Sequence, residues 1–384
     1  MTGNFLSNVG LHMLSVAVSW DLYQQTRSAA VLGNVGFAQV TPFLLFALVA
    51  GHYADRYDRR SLMLSTQALV VASSALLVFS GSSVAMIFLC LFLNATGRTF
   101  QGPARLSILP SVVSPQDLRT AITWNSSSNE IATISGPALA GLMLAFTGSH
   151  TVYVMQLVCA MATLGCYWML EPSPPKVTTT TSDGDRSVLE GLRFVWRTPL
   201  IFPAVSLDMF AVLFGGATAL LPIYAVEILH TDAQGLGWLR AAPAIGAVSM
   251  ALFSAHRLKI VNAGRTLLLA VAGFGVAMIG FGISRNFWLS FALLIVTGAM
   301  DNISVVLRQS LVQSSAPDHM RGRVLAVNSI FISCSNQLGA VESGWAAALM
   351  GTVPGVVFGG VATILIAGIW GTLSKPLRHW RQST

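Results

Sequence analysis

Residues 51–60 read GHYADRYDRR, and five of the ten are charged: Asp55, Arg56, Asp58, Arg59 and Arg60. The run before them, TPFLLFALVA (41–50), is apolar, and so is ALVVASSALLVFSG (68–81) just after. A charged turn between two such runs is what a chain makes where it leaves a lipid bilayer and re-enters it. Composition agrees. The 384 residues are 54% hydrophobic and 10% charged, whereas a soluble domain carries about 25% charged residues. No soluble surface can be built from so few charges, so the chain reads as an integral membrane protein.

A helix needs about 20 mostly apolar residues to cross a bilayer. Twelve segments qualify, near 4–22, 30–50, 61–81, 84–104, 120–147, 150–170, 199–227, 234–255, 265–284, 286–307, 323–349 and 353–374. The runs are continuous and do not alternate in polarity, which excludes a membrane β-barrel. The N-terminus, MTGNFLSNVG, has no Lys or Arg. It therefore lacks the charged start of a secretory signal peptide, and the first apolar segment is expected to be retained.

The net charge of +7 suggests nucleic acid until the basic residues are placed. They gather in the loops after even-numbered spans: Arg56, Arg59 and Arg60, then Arg105 and Arg119, and so on to Lys375, Arg378 and Arg381. Loops after odd-numbered spans hold only Arg27 and Arg285. The positive-inside rule then puts both termini and the even loops in the cytoplasm. Basic residues in these loops face lipid headgroups, so no nucleic-acid partner is expected. Cys90, Cys159, Cys166 and Cys334 lie in apolar stretches without metal-type spacing, and read as small hydrophobes. No metal or cofactor is expected.

Residues 171–199, EPSPPKVTTTTSDGDRSVLEGLRFVWRTP, form a Pro- and Thr-rich linker. Ser187 and Glu190 have capping-box spacing at the start of an interfacial helix. The expected organisation is a six-helix bundle over 1–170, a cytoplasmic linker over 171–198, a second six-helix bundle over 199–375 and a cytoplasmic tail over 376–384. The halves echo one another at a spacing of about 203 residues: Arg105 with Arg308, Asn125 with Asn328, Gly136 with Gly339, Gly141 with Gly344. The fold class is thus an all-α membrane protein of twelve transmembrane helices in two pseudo-symmetric bundles. Duplicated halves with a site at their interface are the usual build of secondary transporters.

At this point the motifs become specific. GHYADRYDRR resembles GxxxDRxGRR, the signature between helices 2 and 3 of the major facilitator superfamily, with Asp58 where Gly is commonest. RTFQG (98–102) resembles that superfamily's RxxqG motif, and GPALAG (136–141) its antiporter motif GPxxGG, with Ala140 replacing a Gly. The second half, through LLPIYAVEIL (220–229), GWLRAAPAIGA (237–247), DNISVVLRQSLVQ (301–313) and PDHMRGRVLAVNS (317–329), is similar to the drug:H⁺ antiporter-3 branch, which includes enterobactin-exporter-like and macrolide-efflux proteins.

The resemblance implies roles. Asp55 and Arg59, with Gly51 and Arg60, would form a cytoplasmic gate closed in only one state; the alternative for Asp55 is a turn residue capping helix 3. Arg98 sits mid-span, where a charge costs at least about 2.5 kcal/mol; it is either one partner of a structural ion pair or tunes a nearby carboxylate. Buried carboxyl groups resist ionising, so Asp208 and Glu130 are the leading proton-coupling candidates, with Arg98 and Asp301 beside them. Asp301 matches Arg98 in the repeat. Trp20, Asp21, Asn8, His12, Trp124, Asn125 and Arg240 are candidates for lining the substrate cavity. Of these, Trp20 could instead anchor at the interface, Asp21 and Glu227 could be solvated near the outer surface, and Arg240 could pair with Asp208 or Glu227. Gly136, Pro137 and Gly141 form the antiporter-motif helix. Gly355 and Gly359 have GxxxG spacing for close helix packing.

The leading function is a secondary efflux transporter, a proton-coupled antiporter of a small amphipathic molecule, in a bacterial cytoplasmic membrane. Its partners are the small-molecule substrate, protons and the bilayer, with the chain acting as a monomer. Uptake of a small solute and a non-transporting sensor are the alternatives. A membrane enzyme is disfavoured: there is no HExxH, no GxSxG and no phosphate loop.

Overall fold

In lipid every backbone amide must find its partner inside its own segment, so an apolar run of this length becomes a helix. The computed structural model describes residues 2–79, 83–114, 116–170, 184–257, 262–317 and 320–381, and is helical nearly throughout. The first half holds α1 (Thr2–Thr26), α2 (Ala29–Arg56), α3 (Arg59–Phe79), α4 (Val84–Val112), α5 (Leu118–Thr147) and α6 (Ser149–Trp168). After the linker come α7 (Gly184–Arg197) and α8 (Ile201–Gly215). A 3-10 turn (Ala217–Leu220), α9 (Leu221–Ile223) and a π turn (Tyr224–Ile228) continue the α8 span. Then follow α10 (Ala233–Arg257), α11 (Ala263–Ile283), α12 (Phe287–Ser315), α13 (Arg321–Met350), α14 (Thr352–Leu373) and the short α15 (Lys375–Arg378).

Eleven helical spans among the described residues are long and apolar enough to cross a membrane. The twelfth is α1, 25 residues long. Its row of polar side chains, described below, explains why it is less apolar than the others.

The chain divides into two compact units. In the first, α1 packs on α5 and α6, and α3 packs on α4 and α6. In the second, α8 packs on α13 and α14, and α11 packs on α12 and α14. The two packing schemes are the same once α1 is matched to α8. Each unit also takes the opening turns of a helix from the other half of the sequence: residues 28–36 of α2 go with the second unit, and residues 231–241 of α10 with the first.

The duplication extends to backbone geometry. Gly148 (φ +80°) and Gly351 (φ +93°) each form a one-residue turn, closing α5 onto α6 and α13 onto α14. Their ψ values of 176° and 156° complete a conformation open essentially to glycine alone. Arg27 (φ 48°) and His230 (φ 49°) are the two described non-glycine residues with positive φ, and they end the first span of each half. The two pairs share one separation, about 203 residues, the spacing of the sequence repeat.

Two helix ends differ from the sequence-based expectation. α3 is capped by Asp58: its carboxylate accepts from the Ser61 amide at 2.8 Å and the Ser61 hydroxyl at 2.9 Å. Asp58 immediately precedes the helix, so Ser61 stands at its third position, where an N-cap carboxylate reaches. α7 begins at Gly184, three residues before Ser187, whose side chain lies outside the described residues. Glu190 instead pairs with Arg323 on α13, and Val195 is buried in the core of the second unit. Linker residues 171–183 lie outside the described residues. The GxxxG glycines of α14 serve two neighbours within that unit: Gly355 faces Ala347 of α13, and Gly359 faces Phe214 of α8.

Candidate transport site

α1 carries a polar stripe. Asn4, Asn8, His12, Ser15 and Ser19 recur at three- or four-residue steps, so they share one helix face. Three of them pair with α5 in strict register. Asn4 donates to Asn125 Oδ1 at 3.2 Å, Asn8 donates to Asn129, and His12 Nε2 lies 3.2 Å from Thr133 Oγ1. Each rung joins a residue of α1 to one exactly one turn further along α5 than the last, because the two helices run parallel with matching four-residue spacing. One turn beyond the last rung, Gly136 lies against His12 and the Val9 carbonyl, where any side chain would collide.

Three arginines border the stripe. Arg105 Nε donates to Asn4 Oδ1 at 2.7 Å, and Tyr167 donates to the same oxygen at 3.3 Å. Arg240 donates to the Ser15 and Ser19 hydroxyls, each at 2.9 Å. Arg98 lines a cavity inside the first unit with Asn94, Gln67, Gln101 and Gln156. Gln101 donates to Gln67, which donates to the Ala160 carbonyl. Arg98 has no acidic partner within ion-pairing distance among the described residues. Neither sequence-based role, ion pair or tuner of an adjacent carboxylate, is seen at Arg98 in this conformation.

The second unit has a matching cavity, lined by Asp208, Asp301, Ser304, Phe274 and Met300. Asp301 takes the place of Arg98 and Ser304 that of Gln101. Asp208 forms an ion pair with Arg308, and both side chains are almost fully buried. Asp301 faces the same cavity without an ion-pair partner among the described residues. Asp208 is thus held within its own unit by Arg308, and Arg240 within its own by the Ser15 and Ser19 hydroxyls.

The remaining expected residues are scattered. Asp21 is buried and accepts from the Tyr153 hydroxyl at 2.6 Å, so it is not simply solvated. Glu130 is exposed on α5, as is Trp124 at 63%. Trp20 is partly buried. Gly141 meets Gly237 of α10 so closely that a Cβ on Gly141 would lie 2.7 Å from the Gly237 Cα, and the Pro137 carbonyl caps the same contact. In the second unit Gly344 meets Gly33 in the same way. The side chain of Asp55 lies outside the described residues. Arg60 donates to the Trp168 carbonyl at 2.5 Å. Among the described residues, nothing lies near enough to touch a Cβ at Gly51 or Gly102.

Sequence reading missed Asn4, Ser15, Ser19, Asn129, Thr133 and Arg308. The signal for the ladder was present: amides and hydroxyls at matching four-residue spacing in the first and fifth spans. Arg308 was visible as the repeat partner of Arg105, but nothing local announced its carboxylate.

Residues 1–383 match the family model described as transmembrane secretion effector. The chain belongs to this family of major facilitator transporters. It is a multi-pass membrane transporter and not an enzyme. The chain is 24% identical over 394 residues to the staphyloferrin A transporter of Staphylococcus aureus, covering 98% of this chain and 94% of that one. It is 25% identical to the multidrug efflux pump Tap of Mycolicibacterium fortuitum, covering 86% and 83%. It is also 25% identical to the enterobactin exporter EntS of Escherichia coli strain K12, covering 99% and 92%. Among solved structures, a bacterial homologue of the lysosomal transporter Spinster superposes with a TM-score of 0.79 at 14% identity, covering 100% of this chain and 97% of that one. A D-xylose–proton symporter gives 0.74 at 12% identity, covering 99% and 98%. These two likenesses show the major facilitator fold.

Proposed function

We propose that this transporter is a proton-coupled exporter of a small amphipathic molecule in a bacterial cytoplasmic membrane. It works by alternating access, with both termini in the cytoplasm. The observation that carries this reading is the Asp208–Arg308 pair sharing a cavity with Asp301. Two carboxyl groups in one low-dielectric cavity cannot both stay charged at little cost, and one arginine can neutralise only one of them. A proton taken up by either carboxyl group removes that conflict. Its release restores it, and the two arrangements differ in which acid Arg308 holds. Such a difference can bias one conformation against another by the free energy that separates them.

The export direction is supported by the names of the relatives, which include exporters of a siderophore and of drugs, and by GPALAG on α5. The cytoplasmic gate is supported by Gly51 and Gly102. Both belong to the cytoplasmic motifs GHYADRYDRR and RTFQG, and neither meets a described neighbour in this conformation, which leaves room for a close approach in another. Glu130, exposed on its helix, is the weaker of the two leading proton candidates.

Inverted membrane vesicles holding an acid-inside gradient test this. Adding macrolides, cationic dyes or catecholate siderophores one at a time should release protons with one class. That release should disappear in Asp208→Asn or Asp301→Asn while Glu130→Gln retains it. Substrate movement without proton release would refute antiport.

A further inference from the structure

The arginines of the membrane region fall into two kinds. Arg308 is 1% exposed and has Asp208. Arg98, Arg105 and Arg240 each keep part of their surface open, and among the described residues they have no ion-pair partner. Arg105 has the amide of Asn4, Arg240 has two serine hydroxyls, and Arg98 has a cavity of amides. A guanidinium in a low-dielectric setting is poorly satisfied by neutral oxygens, and carboxylates and phosphates are the groups whose geometry it matches.

The acids available to these three arginines in the first unit are few. Asp21 is turned to Tyr153, and Glu130 is exposed on α5. Arg98 and Arg105 stand about two turns apart on α4. Among the described residues the first unit thus gathers, beside α1, three arginines of α4 and α10 that lack an ion pair. The second unit concentrates carboxylates, Asp208 and Asp301, in its matching cavity.

We infer that the cargo is an amphipathic anion, a carboxylic acid, which the first unit binds through Arg105, Arg98 and Arg240 as successive stations along α1. The stations follow the stripe from Asn4 to Ser19, a rise of about 22 Å at 1.5 Å per residue. That distance covers most of the hydrocarbon thickness. The α1–α5 ladder holds the stations at fixed spacing. Protons and cargo therefore use different units: the anion goes to the first and the proton to the second. This inference rests on the export reading for its direction, but not for the site itself.

Two dyes on one xanthene scaffold test the charge preference: carboxyfluorescein, an anion, and rhodamine 6G, a cation. Binding to the purified full-length protein in nanodiscs is read by fluorescence polarisation. The expected result is that carboxyfluorescein binds at least about tenfold more tightly than rhodamine 6G, and that Arg98→Gln and Arg240→Gln each weaken it about tenfold. Asn4→Asp keeps the size of the side chain and gives Arg105 the acidic partner that Arg308 already has. It should weaken the anion similarly without unfolding the protein, as judged by size-exclusion elution. Arg285→Gln, which removes an exposed arginine of the second unit, should leave the affinity unchanged. Equal or preferred binding of rhodamine 6G, no binding of carboxyfluorescein, or full affinity in all three site variants would overturn the anion site. If the anion binds as expected but its uptake into inverted vesicles ignores the pH gradient, the antiport reading fails while the anion site stands.

Discussion

Asp208 and Arg308 form a buried ion pair in the second unit, whereas Arg105, the repeat counterpart of Arg308, takes the neutral amide of Asn4 in the first. The same scaffold thus carries the same arginine against two partners that differ only in charge. Replacing Asp208 with Asn should make the second unit resemble the first, preserving the fold and abolishing pH-driven transport. Replacing it with Ala leaves a buried guanidinium unpaired, which costs about 3–5 kcal/mol. Thermal unfolding in detergent should separate the two variants clearly, with Ala well below Asn.

The ladder makes a second prediction. Asn129→Leu strands the buried amide of Asn8, whereas Asn8→Leu leaves the amide of Asn129, which is exposed, without its partner. Leaving one such partner unsatisfied costs about 1–3 kcal/mol, whereas replacing both can be nearly neutral. The double variant should therefore be at least as stable as either single one, a positive coupling that unfolding midpoints of the four proteins will show.

Gly148 and Gly351 hold a conformation that any side chain resists. Each change to Ala should cost about 1–3 kcal/mol. Because they lie in different units and share no partner, the two losses should add. A double variant whose loss is no larger than either single loss would mean that the turns relax.

Glycine matters differently elsewhere. Gly141→Ala would press against Gly237, and Gly344→Ala against Gly33, so both should lower the unfolding temperature. Gly51→Ala and Gly102→Ala meet nothing among the described residues and should leave it unchanged while slowing vesicle transport. A normal transport rate in both would remove the case for a close approach in another state.

Asp58 caps α3. Asp58→Ala should cost about 1 kcal/mol, and Asp58→Gly, which restores the residue commonest in the family motif, only a few tenths. Equal losses would show that the carboxylate contributes through something other than the cap.

Helices, family and duplication were legible because each rests on a long, one-dimensional signal: apolar runs, loop charge and paired motifs. Asp208 and Arg98 were legible as costly charges inside spans. Their partners were not, because partnership is decided by which helices meet. Arg308 reads as an ordinary residue at the foot of a span, and Asn4 as part of a polar start. The cap at Asp58 was missed because the family pattern drew attention to Asp55. The break of the seventh span at Gly216 was hidden by its unbroken apolarity, although Pro222 lies just beyond it.

The exchanged opening turns of α2 and α10 bear on how the chain is assembled. The first unit includes residues 231–241, and the second includes residues 28–36. Neither can be finished when the ribosome has made only its own half. The start of α2 must wait in the bilayer for α13, some 300 residues later, before Gly33 meets Gly344. Contacts of such long sequence separation form late and slowly. The membrane will therefore hold a long-lived, half-built intermediate with its small-residue surfaces uncovered, and quality-control proteases would meet that species rather than the finished transporter.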